Sequence, residues 1–141
     1  MDRQDALDLV RPARVARLAT VNADGTPHLV PIVFALYGET LYSAVDAKPK
    51  RSRTLRRVEN ARERPGVTVL VDHYEEEWGR LWWVRLDGRA HVLDAGEEAE
   101  LALRLLTDKY EQYRRQSAGL PVLAVTVEDV RAWGGRALDG A

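Results

Sequence analysis

The residues best suited to chemistry in this chain are cationic. Lys48, Lys50, Arg51, Arg53, Arg56 and Arg57 fall within ten positions of a 141-residue chain whose formal net charge is -1. Such a run suits a nucleic-acid backbone, the phosphate of a small cofactor, or solvent alone. The other reactive side chains are scattered. The histidines His28, His73 and His91 lie far apart, without the spacing of a metal site. Asp72 to Glu77 (DHYEEE) clusters carboxylates in a polar loop, where adjacent charges face water. No GxSxG elbow is present. With no cysteine, thiolate nucleophiles, disulfides and Cys-based metal centres are excluded.

The helical wheel divides the basic run. At 100° per residue, Leu55 and Val58 fall within about 40° of Arg51. Arg53, Arg56 and Arg57 fall on the other side with Asn60, which reads as a solvated face. Lys48, Lys50, Arg51 and Ser52 then stand at the start of a helix, where unpaired backbone N–H groups and the positive dipole end favour an anion. Such a pocket suits one phosphate better than a duplex. A pI near 6.3 also argues against a dedicated nucleic-acid binder, for which a pI above about 9 is usual.

Trp78, Trp82 and Trp83 crowd into six positions. On a strand Trp82 and Trp83 point to opposite faces, one filling a core and the other facing a partner subunit, a ligand or solvent.

The elements that position these groups follow from periodicity. Residues 2–9 form a short helix with Asp2 or Asp5 near its start, ended by Pro12. Strands are expected at 14–21, 28–36, 40–45, 66–72 and 120–133, and another begins at 80. Asp24-Gly25 supplies the first tight turn, and Pro31 marks an edge or a bulge. Asp87-Gly88 is either a hairpin turn or a bulge within one long strand to residue 93, and the dipeptide alone favours the hairpin. Residues 52–60 and 95–116 read as helices, the second with Leu101, Ala102, Leu105 and Leu106 on its apolar face. Six short strands linked first by hairpins and then by two helices predict one domain spanning residues 1–141. Its class is mainly β with flanking helices (α+β), a six-stranded antiparallel barrel. The charged N-terminus and the lack of about 18 consecutive apolar residues predict a soluble, cytoplasmic protein without a membrane partner.

The order of these pieces resembles the pyridoxamine 5′-phosphate oxidase-like split-barrel superfamily. RVARLATVNADGTPHLVPIVFAL is similar to its opening: a strand ending Ala-Thr-Val, an Asp-Gly-x-Pro turn, and a strand carrying Pro-x-Val. LYSAVDAKPKRSRTLRRVENAR resembles its third strand, phosphate-binding segment and helix, and GVTVLVD with LWWVRLDGRAHVL its next two strands. Within the superfamily the chain most resembles the branch using the deazaflavin coenzyme F420 in place of FMN, whose members are homodimers with cofactor sites at the subunit interface. The resemblance implies that Ser43, Ala44 and Val45 line the deazaflavin edge, and that Lys48, Lys50, Arg51 and Ser52 hold the phosphate and acidic tail. It places Pro31 and Val33 near the ring, with Trp82 or Trp83 reaching it across the interface. It also implies that the Asp87-Gly88 segment is one long kinked strand. Arg51 departs from the pattern, since many relatives carry Lys there.

The function so implied is an F420-dependent oxidoreductase moving a hydride between the coenzyme and a small, conjugated substrate. Catalytic residues are not assigned, because the cofactor carries the chemistry. The alternatives are an FMN-binding oxidase or reductase on the same barrel and a non-catalytic cofactor carrier. Neither a metal nor nucleic acid is expected.

Overall fold

The computed structural model describes residues 1–46 and 53–134. Its elements run α1 (Arg3–Val10), β1 (Ala16–Val21), β2 (Pro27–Ile32), β3 (Ala35–Tyr37), β4 (Thr40–Asp46), α2 (Arg53–Glu63), β5 (Gly66–His73), β6 (Trp82–Leu93), α3 (Glu97–Lys109), α4 (Gln112–Arg115) and β7 (Ala118–Gly134). All seven strands join one sheet in the order β2-β1-β5-β6-β7-β4-β3, each neighbouring pair antiparallel.

The connection between the sheet's two edges dictates its shape. The edges are β2 and β3, yet only Val33 and Phe34 separate them in sequence. Three Cα–Cα steps span at most about 11 Å. The sheet must therefore curl until its first and last strands nearly meet. This barrel is closed at one corner by covalent chain rather than by a hydrogen-bonded ladder. The break corrects the expected strand count: residues 28–36 are not one strand but the end of β2, a two-residue crossing and the start of β3, so there are seven strands, not six. Pro31 lies on edge strand β2, the position in a sheet that tolerates a residue without a backbone donor.

Alternation builds the interior. Ala16, Leu18 and Thr20 of β1 point inward, as do Val67, Val69 and Val71 of β5 and Leu123, Val125 and Val127 of β7. Phe34 fills the barrel with no exposed surface, and Leu7 and Val10 of α1 pack into the same cluster. α1 begins where expected. The Asp2 carboxylate accepts from the Asp5 N–H at 2.8 Å, and Asp5 accepts reciprocally from the Asp2 N–H. A second cluster lies outside the barrel, where Ala102 and Leu106 of α3 cover Ala35, Tyr42, Ala44 and Val122. The long helix expected over 95–116 is interrupted, because Tyr110 is extended between α3 and α4.

The hairpin favoured at Asp87-Gly88 does not form. β6 runs unbroken from Trp82 to Leu93 beside β7, with a register shift between Asp87 and Gly88. Glycine is required there by space. A Cβ on Gly88 would lie inside van der Waals contact of the Thr126 carbonyl oxygen. The offending atom belongs to backbone and cannot rotate away. Gly88→Ala is expected to destabilise the fold by about 1–3 kcal/mol. Urea denaturation checks this, and an unchanged midpoint would refute the close-contact account.

Candidate functional site

The crossing from β2 to β3 and the far end of β4 face each other across a groove of about 390 Å³. Pro31 and Val33 come from the first side, and Ser43 and Ala44 from β4. Four residues assigned to the cofactor from sequence are thus gathered in one place. Val15, Ile32, Arg57 and Tyr113 complete the lining. Its walls are largely apolar, and among the described residues Arg57 of α2 brings it a cation.

The polar groups in the wall are occupied. Ser43 is 4% exposed, and its hydroxyl donates to the Val33 carbonyl at 2.9 Å. Ser43 thereby ties β4 to the crossing. Behind the wall, Tyr110 meets Phe34 and the ring of Tyr113, 6.1 Å away edge-on. The Arg14 guanidinium lies 4.6 Å from the Tyr110 ring centre and Lys109 Nζ 3.9 Å from that of Phe34. Burial, with Arg14 nearby, pushes Lys109 down to about 8.

The remaining expected site residues are not in this groove. Val45 continues β4 past a register shift, opposite Gly119. Lys48, Lys50, Arg51 and Ser52 lie outside the described residues. Trp82 and Trp83 line a different cavity of about 500 Å³, with Leu70, Tyr74 and Trp133. Trp82 packs against the barrel core and stacks on His73 with ring centres 6.3 Å apart. Trp83 lies on the outer face, paired with Trp133 of β7. A single chain therefore does not bring either tryptophan to Pro31 and Val33.

The expected solvated face of α2 is corrected. Arg56 is exposed, but Arg57 is half-buried and lines the groove. Asn60 is only 2% exposed, donating to Thr20 Oγ at 3.0 Å and to Asn22 Oδ1 at 2.9 Å. Among the described side chains of α2, Val58, Asn60 and Ala61 are buried. Setting the face by Leu55 and Val58 leaves Asn60 and Arg57 on the opposite side. Arg57 was missed for that reason. Val15 and Tyr113 carried no signal, as each reads from sequence as ordinary apolar surface.

Among the described residues no helix is long and apolar enough to cross a membrane. No curated protein matches the chain in sequence. Solved structures do resemble it. A conserved hypothetical protein from Mycobacterium tuberculosis superposes with a TM-score of 0.78 at 20% identity, over 99% of this chain and 88% of that one. A heme-binding protein from Mycobacterium smegmatis gives 0.76 at 20% identity, over 93% of this chain but only 53% of the other. A FAD-binding protein from Mesorhizobium loti gives 0.71 at 22% identity, over 94% of both. The family model for pyridoxamine 5′-phosphate oxidase matches residues 3–134, nearly the whole chain and every described strand. By that match, and by the barrel and groove it spans, the chain belongs to the pyridoxamine 5′-phosphate oxidase family.

Proposed function

We propose that this protein is an F420-dependent oxidoreductase that works as a homodimer. The observation that carries the reading is the convergence of Pro31, Val33, Ser43, Ala44 and Arg57 on one groove. The basic segment from Lys48 to Ser52 joins β4 to α2 in sequence, and both flanking elements supply groove residues. The donor set suits a planar cofactor with an anionic tail. Apolar Pro31, Val33 and Ala44 exclude water from a ring. Arg57 offers a fixed positive charge to a phosphate, with Lys48, Lys50, Arg51 and Ser52 taking the acidic tail. The bound coenzyme would supply hydride chemistry toward a small conjugated substrate. The chain's task is to orient the ring and keep the site dry. Ser43 acts by fixing the wall, since its hydroxyl is spent on Val33.

A flavin is the second reading, favoured by the FAD-binding protein among the similar structures. The two are separated by titrating the purified protein with F420, FMN and FAD while following tryptophan fluorescence. Micromolar binding of F420 with none of either flavin is expected. Tight flavin binding with none of F420 would overturn the cofactor assignment. Binding of F420 without hydride transfer to any conjugated acceptor would make the protein a carrier.

A further inference from the structure

The crossing at Val33–Phe34 poses an accounting problem. Its residues leave the β2 ladder and have not joined β3, so their backbone groups need other partners. Phe34 has no exposed surface, and a buried amide left unpaired forfeits its solvation with nothing in return. Two side-chain hydroxyls meet this need. Ser43 Oγ takes the Val33 carbonyl. The Tyr110 oxygen accepts from the Phe34 N–H at 3.1 Å, and its single proton is available to the Phe34 carbonyl at 2.9 Å or the Arg14 carbonyl at 3.1 Å. Tyr110 therefore stands in for a missing strand at the corner between β2 and β3, which share no ladder.

We propose that Tyr110 is a positioning residue for the groove. Its hydroxyl clamps Phe34 and so fixes the neighbouring Val33 against Ser43 and Ala44. Its ring is held in turn by Tyr113, Arg14 and Lys109, the last with its amine 5.3 Å from the ring centre. Burial pushes the Tyr110 hydroxyl up, so the proton the clamp needs is retained at neutral pH. The extended backbone of Tyr110 is the break between α3 and α4, which delivers Tyr113 to the groove. One residue thus fixes two parts of the lining. This rests on the groove being the binding site, so its test includes a readout that needs no cofactor.

Tyr110→Phe keeps the ring and deletes only the hydroxyl. Tyr42→Phe is the matched control. It removes a hydroxyl that donates to the Glu98 carboxylate at 2.8 Å between β4 and α3, and Tyr42 is not among the groove's lining residues. The first readout is amide exchange at Phe34 with methyl chemical shifts of Val15 and Val33, measured without ligand. Tyr110→Phe is expected to speed Phe34 exchange at least tenfold and to move both methyl signals, while Tyr42→Phe leaves them in place. The second readout is the affinity for F420, expected to fall at least fivefold for Tyr110→Phe and less than twofold for Tyr42→Phe. Unchanged Phe34 protection and methyl shifts in Tyr110→Phe would overturn the clamp. Equal affinity losses in the two variants would overturn its link to binding. If the wild-type protein binds no F420, the cofactor reading fails by itself, and the exchange and methyl data decide whether Tyr110 shapes the groove.

Discussion

Leu70→Glu is expected to convert a micromolar dimer into a monomer, weakening self-association at least a hundredfold. On the outer face of the barrel, Leu70, Trp83 and Trp133 form an apolar centre beside Tyr74 and Leu81, and Trp133 is 47% exposed. Charges of both signs surround it. Arg17 and Asp72 pair at 3.1 Å, Arg85 and Asp87 at 3.5 Å, and Arg131 and Asp129 at 3.2 Å. An aromatic centre with a rim of alternating sign is self-complementary, as a two-fold contact requires. Leu70 lies opposite Arg17 on one neighbouring strand and Arg85 on the other. A carboxylate at position 70 would be accommodated between those arginines in a free subunit, so the fold should persist. Buried in an interface, the same carboxylate carries a desolvation cost of several kcal/mol. Sedimentation velocity with circular dichroism reads both points. A variant that stays dimeric would place the interface elsewhere, and a monomeric wild-type protein would remove the dimer from the proposed function.

What was legible in the sequence was whatever one element decides alone. In β1 strict alternation alone sets Ala16, Leu18 and Thr20 on one face, and the fold turns that face to the core. Asp24-Gly25 gave its turn because Gly25, at a φ of 88°, adopts the left-handed conformation that glycine permits. The failures share a different cause. The break at Phe34 depends on a tyrosine 76 positions away, which no local pattern within residues 28–36 reveals. The bulge at Gly88 was reached through the family resemblance and not from Asp-Gly, which by itself looks like a turn, because its cause is the Thr126 carbonyl across the sheet. Asn60 reads as polar and therefore outward until its bonds to Thr20 and Asn22 are seen. Pro31, Val33, Ser43 and Ala44 were singled out by family resemblance, since nothing in their types signals a site, and the fold gathers them on one groove. Trp133 and Leu70 went unremarked because an outward apolar residue on a strand is ordinary until several adjoin.

Arg57→Ala is expected to weaken F420 binding at least tenfold, about 1.4 kcal/mol, while Arg56→Ala changes it less than twofold. The two side chains are adjacent in sequence and identical in charge, so long-range attraction treats them nearly alike. Placement distinguishes them. Arg57 is half-buried in the wall that holds Pro31, Val33 and Ala44, where low polarity strengthens a contact to a phosphate. Arg56 is exposed and lines a separate surface depression with Glu59 and Glu63. Its field is divided among those carboxylates and screened by solvent and salt. Arg57→Lys keeps the charge but loses the planar two-pronged donor, so it should fall between wild type and alanine. Raising salt separates the contributions further, because a screened field fades with ionic strength whereas a contact within the groove persists. Fluorescence titrations of the three variants at about 0.05 M and 0.5 M salt measure all of this. Equal losses for Arg56→Ala and Arg57→Ala, both vanishing at high salt, would mean a diffuse basic surface holds the anion, and Arg57 would have no special place in the site.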